Sequence, residues 1–398
     1  MKKVSASALP TVLVISVLLL VIVLMAFELW NANTFYYIRY HARKQQEMHL
    51  TSALTLYRND SLLAGRLLEG NAYQLYEDDP RSAVILREQP WGLYERVDAA
   101  NADSTAAASW LVGKARDIPT RPALWICDRE HSLTLAGEAG VDGEAYLPKS
   151  GLNYGMFHQR PYSGEPLATA RIRTAGKELP AIDSAAVRRM DALLSASPRE
   201  GEPISALSDE GDAPSRRQTS LYGDKVKIPG SWKLTDVLLI ARHVTVEAGF
   251  SGSMQIVASD TVIIEEGATL RYPSGVYLHG RGGKNKTHLH LCADARLEGY
   301  AIVFGDADGS DGFAVDIHYR QEKGSRLSGL LYVDGTAHVE GAVSGAAYLK
   351  ECYFLTDEEM YAGLLFNARF ERSDDRAFPL LFRNGGYQRR VAKRLEPR

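Results

Sequence analysis

VTVEAG at residues 244–249 and VIIEEGATL at residues 262–270 carry one shape: alternating apolar positions, an acidic residue, a glycine and a further apolar residue. Alternation of period two sends successive side chains to opposite faces of a strand, so Val244 and Val246, or Val262 and Ile264, share one face. A glycine closes each run, where a tight turn asks for positive φ. The shape recurs in LTLAGEAGVDGEAYLP (133–148), LHLCADARLEG (289–299), IHYRQEKGSRLSG (317–329) and VDGTAHVEGAVSG (333–345). Val244 and Val262 stand 18 residues apart, as do Val315 and Val333, a plausible length for one turn of a parallel β-helix. Stacked turns would join the Val, Ile and Leu residues into one continuous core with glycines at the corners. Asn-Gly hairpin signals are absent between these runs, which favours a coil over an antiparallel sandwich of short strands. The expected fold class is therefore mainly β: a short parallel β-helix (solenoid) body, with a small antiparallel sheet and an N-terminal transmembrane and stalk helix.

The VxVxxGaxVxG texture of residues 333–345 resembles that of bactofilins and other polymer-forming β-helix proteins, over residues 222–350 at most. The resemblance implies scaffolding or self-assembly through the ends of the solenoid, without a catalytic site.

Residues 9–27, LPTVLVISVLLLVIVLMAF, contain no charge, and a helix of that length spans roughly 28 Å, close to the hydrocarbon thickness of a bilayer. The run is longer than the apolar core of a signal peptide, and Glu28, Leu29 and Trp30 offer no small-residue cleavage site, so an uncleaved anchor is expected. Leu9 and Phe27 bound the anchor, and Trp30 with Phe35, Tyr36 and Tyr37 supplies aromatic side chains for the membrane interface. Lys2 and Lys3 flank the run closely, whereas Arg39, Arg43 and Lys44 stand farther from it. This favours a cytoplasmic N-terminus and an extracytoplasmic, periplasmic body on a cell (inner) membrane. From residue 31 to about residue 57 there is neither proline nor glycine, so the helix is expected to continue as a stalk. A short basic leader, an apolar helix starting within ten residues, a soluble helical continuation and then strands together resemble type IV pilins and minor pseudopilins, over about the first third of the chain. That resemblance implies partners among envelope or pilus-like proteins. No glycine stands in residues 5–8, and the nearest acid, Glu28, lies at the far end of the run.

The expected organisation is a basic tail at 1–8, the membrane helix at 9–27, a stalk region at 28–70 and a small antiparallel sheet region at 71–130. The solenoid begins at 131–182 and resumes at 222–372, interrupted by a helix and mobile insertion at 183–221. A C-terminal segment with a basic, solvated tail occupies 373–398. Strands are expected near residues 84–87, 92–98, 109–113 and 123–128, with Trp91, Tyr94, Trp110 and Trp125 as core rather than a ligand platform. Asp183 and Ser184 can cap a helix over 185–195 that carries Val187, Met190 and Leu194 on one side.

Formal net charge is −3, too mild for nucleic-acid capture, so nucleic acid is not an expected partner; membrane lipid and a second copy or other envelope proteins are. Cys127, Cys292 and Cys352 are odd in number, lack a CxxC spacing and read as small buried hydrophobes. Asp306, Asp308 and Asp311 invite a calcium reading, but an EF-hand loop from Asp306 would end at Ile317 where a glutamate is required, so a polar turn is expected. His288 and His290 face one side of a strand, where His279 or His318 could join them around a transition metal; satisfied exposed histidines are the default. GRGGKNK (280–286) lacks a P-loop GK[ST]. No cofactor is expected. A non-enzymatic structural or assembly protein is the favoured reading. The alternative is a membrane-tethered carbohydrate-binding or polysaccharide-cleaving β-helix, recruiting Asp334, Glu340 and Arg326.

Overall fold

The computed structural model describes residues 8–59, 64–66, 68, 70–103, 106–116, 122–196, 201–208, 213–280, 287–305, 316–373, 376–379 and 387–396. They fall into two compact units, residues 1–87 with 98–108 and residues 88–97 with 109–398.

The first unit is dominated by one helix, α1, Ala8–Asn59, 52 residues long and so about 78 Å from end to end. Pro10 is its only proline and lies in the first turn, where its missing N–H costs no helical bond, and glycine is absent throughout. Ser16, Thr51 and Thr55 turn their hydroxyls back onto the carbonyls of Val12, Glu47 and Thr51, which lets polar residues sit inside the helix. Apolar side chains from Val12 to Phe27 are exposed, and the exposure runs on through Trp30, Phe35, Tyr36, Tyr37 and Tyr40. Only near its C-terminal end does the helix bury a stripe, Leu50, Ala53, Leu54 and Tyr57. On that stretch Gln45 donates to Asp79 at 3.3 Å, His49 lies 3.5 Å from the same carboxylate, and the Ser52 and Tyr76 hydroxyls are 3.2 Å apart. Asp79 also caps the turn Pro80–Ser82, and strand Tyr73–Gln74 pairs antiparallel with Ala83 and Val84.

In the second unit, one sheet closes on itself, and among the described residues its pairings are parallel apart from an antiparallel return of residues 353–355 against 360–362. Val226 pairs with Val244, Val244 with Val262, Val262 with Leu289, Leu289 with Tyr319, Tyr319 with Ala337 and Ala337 with Cys352. A second column runs Leu239, Ile256, Val276, Ala301, Leu331, Ala347, Leu124 and Ala145. Both columns lie in one buried core, so equivalent apolar positions stack on one another exactly where the two-residue alternation points them inward. The antiparallel sandwich is thereby excluded for these strands. The body is mainly β and follows a long apolar N-terminal helix.

Three glycines show how close the stacked turns come. Gly299, Gly329 and Gly345 have φ of +142°, +142° and +147°, and a Cβ on each would lie 1.8, 1.8 and 1.9 Å from the carbonyl oxygen of Ser274, Gly299 and Gly329 respectively. No side chain fits there.

Several expectations are corrected. Residues 131–182 do not lead into the strands from residue 222: 145–147 pair with 172–174 and 145–146 with 124–125, 133–135 pair with 152–154 and 134–136 with 364–366, and 140–142 pair with 369–371. Their backbone groups, and that of Ala123 before them, are satisfied against the C-terminal strands, with Ala347 N donating to Ala123 O at 3.1 Å, Gly140 N to Ala368 O at 2.9 Å and Arg372 N to Asp142 O at 2.9 Å. Leu124–Ile126, assigned to the small sheet, belongs to this closed sheet through Ala347–Leu349. The basic C-terminal residues are not a solvated tail. Tyr387–Leu395 is a strand antiparallel to residues 109–116, with Leu395 buried and Lys393 held by both carboxylate oxygens of Asp236 at 2.8 Å. Within 197–220, expected to be mobile, Glu202–Pro203 and Ser215–Arg217 are strands, and Arg216 binds Glu202 through two bonds of 2.9 and 2.7 Å.

Helix α2, Ser184–Ser195, is capped by Asp183 accepting from the Ala185 N–H at 2.9 Å. It buries Ala186, Met190 and Leu194 on a second core with Leu238, Ile240, Val257, Tyr277 and Tyr300, the outward apolar residues of the closed sheet. The hairpin residues Leu93 and Tyr94 join that core. Buried Gln255 secures them: its Oε1 accepts from Leu93 N at 3.1 Å and from the Tyr300 hydroxyl at 2.8 Å, and its Nε2 donates to Trp91 O at 2.8 Å.

Candidate metal centre

The strand His288–Leu291 buries Leu289 and Leu291 and leaves His288 and His290 on the outer face; Cys292 follows at the corner. That corner belongs to a repeating position. The backbone N–H groups of Glu247, Glu265, Cys292, Glu322 and Glu340 donate to the carbonyls of Ile228, Val246, Ile264, Leu291 and Gln321 at 2.9 to 3.0 Å. Each of the five residues thus enters a turn against the residue that closes the strand one rung before. Four carry carboxylates and one a thiol.

The carboxylates brace the corners. Glu265 accepts from Ala248 N at 3.1 Å and Glu322 accepts from Ala293 N at 3.0 Å, each reaching back to the residue that follows the preceding corner. The other oxygen of Glu322 meets His290 Nε2 at 2.8 Å, and Cys292 Sγ lies 4.0 Å from the same nitrogen. One nitrogen, one sulfur and one carboxylate oxygen therefore converge within 4.8 Å of one another, all on half-buried residues. Burial pulls the His290 imidazole below its ordinary value, against the opposing pull of Glu322. Burial, then the Glu322 and Glu265 carboxylates, pushes the Cys292 thiol up. A neutral imidazole, a carboxylate and, once its proton is lost, a cysteine thiolate are the donor types that borderline cations such as Zn²⁺ take.

His288 stands beside this group, its ring centroid 5.6 Å from that of His290, with Nδ1 2.9 Å from the Ile317 carbonyl. His279 is engaged by Asp191 at 2.8 Å and His318 by the Thr336 hydroxyl at 2.8 Å, so neither is brought into the cluster. Asp306, Asp308 and Asp311 lie outside the described residues, as do residues 281–286. Asp334 pairs with Lys350 at 2.7 Å and Glu340 with His338 at 2.9 Å; these contacts do not assemble the two acids and Arg326 around one point.

Tyr94 and Trp110 are buried, and Trp125 stacks on Tyr146 at 4.3 Å in a row that continues through Tyr348 and Tyr332 to Phe304. Cys127 and Cys352 are buried free thiols, pushed up to about 11 and about 12 by desolvation, and therefore unreactive at neutral pH.

Sequence reasoning found His288 and His290 but assigned Cys292 to the interior, because LHLC reads as an apolar run. Period two places Cys292 on the side of His290, not of Leu289 and Leu291. A signal for this was present: VEAG, IEEG, QEKG and VEGA carry glutamate where LCAD carries cysteine. Glu322 was missed because 30 residues separate it from Cys292 in a rung of irregular length. Comparison of the chain with family models, with curated proteins and with solved structures finds no match.

Proposed function

We propose that the protein is a single-pass, envelope-anchored structural or assembly protein, without catalytic activity, in which α1 crosses the membrane and the closed parallel sheet is a short β-helix. One observation carries the anchor: an apolar segment long enough to cross a bilayer, none of whose residues is buried inside the protein. A helix of that composition needs an apolar environment, and the aromatic residues that follow Phe27 suit the bilayer interface. Support for the β-helix comes from the ladder offsets. Val226, Val244 and Val262 pair in register at intervals of 18 residues, which is one turn of chain returning to the same wall. Self-association or association with other envelope proteins is then the natural use of a rigid body held at a surface. The cytoplasmic N-terminus and the periplasmic side of the body belong to the same reading.

Alkaline carbonate extraction of membranes tests the anchor. The full chain is expected to stay in the pellet, while a chain lacking residues 1–30 is released; a full chain released by carbonate overturns the anchor. Crosslinking in intact membranes tests assembly. Higher-order species containing this chain are expected, and an uncrosslinked monomer at every reagent concentration overturns it.

A further inference from the structure

We propose that His290, Cys292 and Glu322 form a binding site for a borderline divalent cation of the Zn²⁺ class. Imidazole–carboxylate pairs are common in this protein and do not by themselves make a site: His243 with Asp260, His279 with Asp191 and His338 with Glu340 are all such pairs, at 3.2, 2.8 and 2.9 Å. The His290–Glu322 pair differs from them in one respect. The corner beside it carries a thiol where the rungs on either side carry Glu265 and Glu322. A glutamate at that position would complete an all-carboxylate column. Cysteine instead places a soft donor 4.0 Å from an imidazole nitrogen that already lies 2.8 Å from a carboxylate.

The geometry is close to what an ion requires. Donors around a tetrahedral Zn²⁺, at ~2.0 Å for nitrogen and oxygen and ~2.3 Å for sulfur, lie roughly 3.3–3.7 Å apart. The His290–Glu322 contact is somewhat shorter than this, the His290–Cys292 contact slightly longer, and all three donor atoms lie within 4.8 Å of one another, so side-chain rotation draws them onto a common ion. Glu322 is already oriented by the Ala293 N–H on its second oxygen, the kind of outer contact that fixes a ligating carboxylate. The surrounding field also suits a cation. Glu322, Glu265 and Glu266 bear on the Cys292 sulfur, and Arg320, 4.0 Å from Glu322, is the cation acting against them. As the metal–sulfur bond forms, the thiol proton passes to solvent, and the fourth coordination position is left to water. Nitrogen and sulfur donors select against Ca²⁺ and Mg²⁺, which take oxygen. The site lies wholly within the second unit, and its existence does not depend on the role of α1.

The test uses the full chain, reduced, in detergent. Titration with Co²⁺ is expected to saturate near one equivalent and to produce a near-ultraviolet thiolate-to-cobalt charge-transfer band with tetrahedral visible bands. Zn²⁺ should bleach them and Ca²⁺ should not. Cys292→Ser is expected to lose the charge-transfer band, and His290→Gln to weaken binding at least tenfold, each with unchanged circular dichroism. Absence of the band in the unaltered chain, its survival in Cys292→Ser, or displacement by Ca²⁺ overturns the proposal. Should the variants fail to fold, alkylation of the unaltered chain decides: Zn²⁺ must slow modification of Cys292, and equal rates with and without Zn²⁺ overturn the site.

Discussion

Gly329 has neither room for a side chain nor an ordinary backbone conformation: its φ is +142° and a Cβ would sit 1.8 Å from the Gly299 carbonyl oxygen. Because Gly299 and Gly345 stack on either side of it, the wall cannot yield locally. Gly329→Ala is expected to destabilise the body by about 3 kcal/mol or more, whereas Gly249→Ala, with φ +81° but open space around the Cβ, should cost only about 1 kcal/mol. Urea denaturation of the two variants separates backbone conformation alone from conformation plus collision. The buried thiols set a second expectation. Cys352 lies in the inner column, and desolvation pushes it up to about 12; Tyr272 is likewise pushed up to about 12. In the unfolded chain a thiol ionises near ~8.5–9, so the unfolded state releases its proton while the folded state still holds it. The stability Cys352 contributes is complete below pH ~8.5 and that of Tyr272 below pH ~10; each is lost as pH climbs from there toward 12, by up to about 1.4 kcal/mol per pH unit. Denaturation midpoints measured at pH 8 and pH 10.5 should show this fall, and Cys352→Ala should make it shallower.

At the scale of elements, α1 and the C-terminal strand stand at opposite ends of legibility. The helix is written in composition: no glycine, one proline in the first turn and an uncharged run, none of which needs a partner to be read. The strand Tyr387–Leu395 is written in a pattern that suits a solvated tail equally well, because an edge strand exposes its charged face. What makes it a strand is its antiparallel ladder with residues 109–116, and Lys393 ties it down, its ammonium neutralising Asp236, a carboxylate only 3 % exposed that also accepts from Ser253. Lys393→Ala leaves that carboxylate buried without its cation and is expected to cost about 3 kcal/mol, with early loss of the C-terminal strand by hydrogen exchange. Lys393→Met combined with Asp236→Asn should recover most of that loss, and its failure to do so would assign the effect to the lysine stem instead. The capped helix α2 was readable from Asp183 and the apolar spacing of Met190 and Leu194, which are local signals, but Ala186 is buried where Val187 was expected, and Val187 is only half-buried.

For the whole molecule, the inward-facing residues of the closed sheet were legible wherever one rung takes 18 residues, because a constant interval returns the same side chain to the same wall, as with Val244 and Val262. Where the interval grows, from Val262 to Leu289 and from Leu289 to Tyr319, pairing partners could not be assigned from the sequence. The candidate centre depends on just those intervals, so His290 was visible and its convergence with Glu322 was not. The placement of residues 122–175 against the C-terminal strands was likewise hidden, since parallel edges are alike in their backbone groups and nothing in the residues names a partner. The sequence by itself determined the uncharged run of residues 9–27, the helix that carries it, and the inward-facing residues of the 18-residue rungs, since these follow from local periodicity and composition. Tertiary structure alone decided which edges pair, that the basic C-terminus completes a sheet, and that a thiol, an imidazole and a carboxylate meet at one corner, because those outcomes turn on the rung-to-rung register and on contacts between residues far apart in the chain.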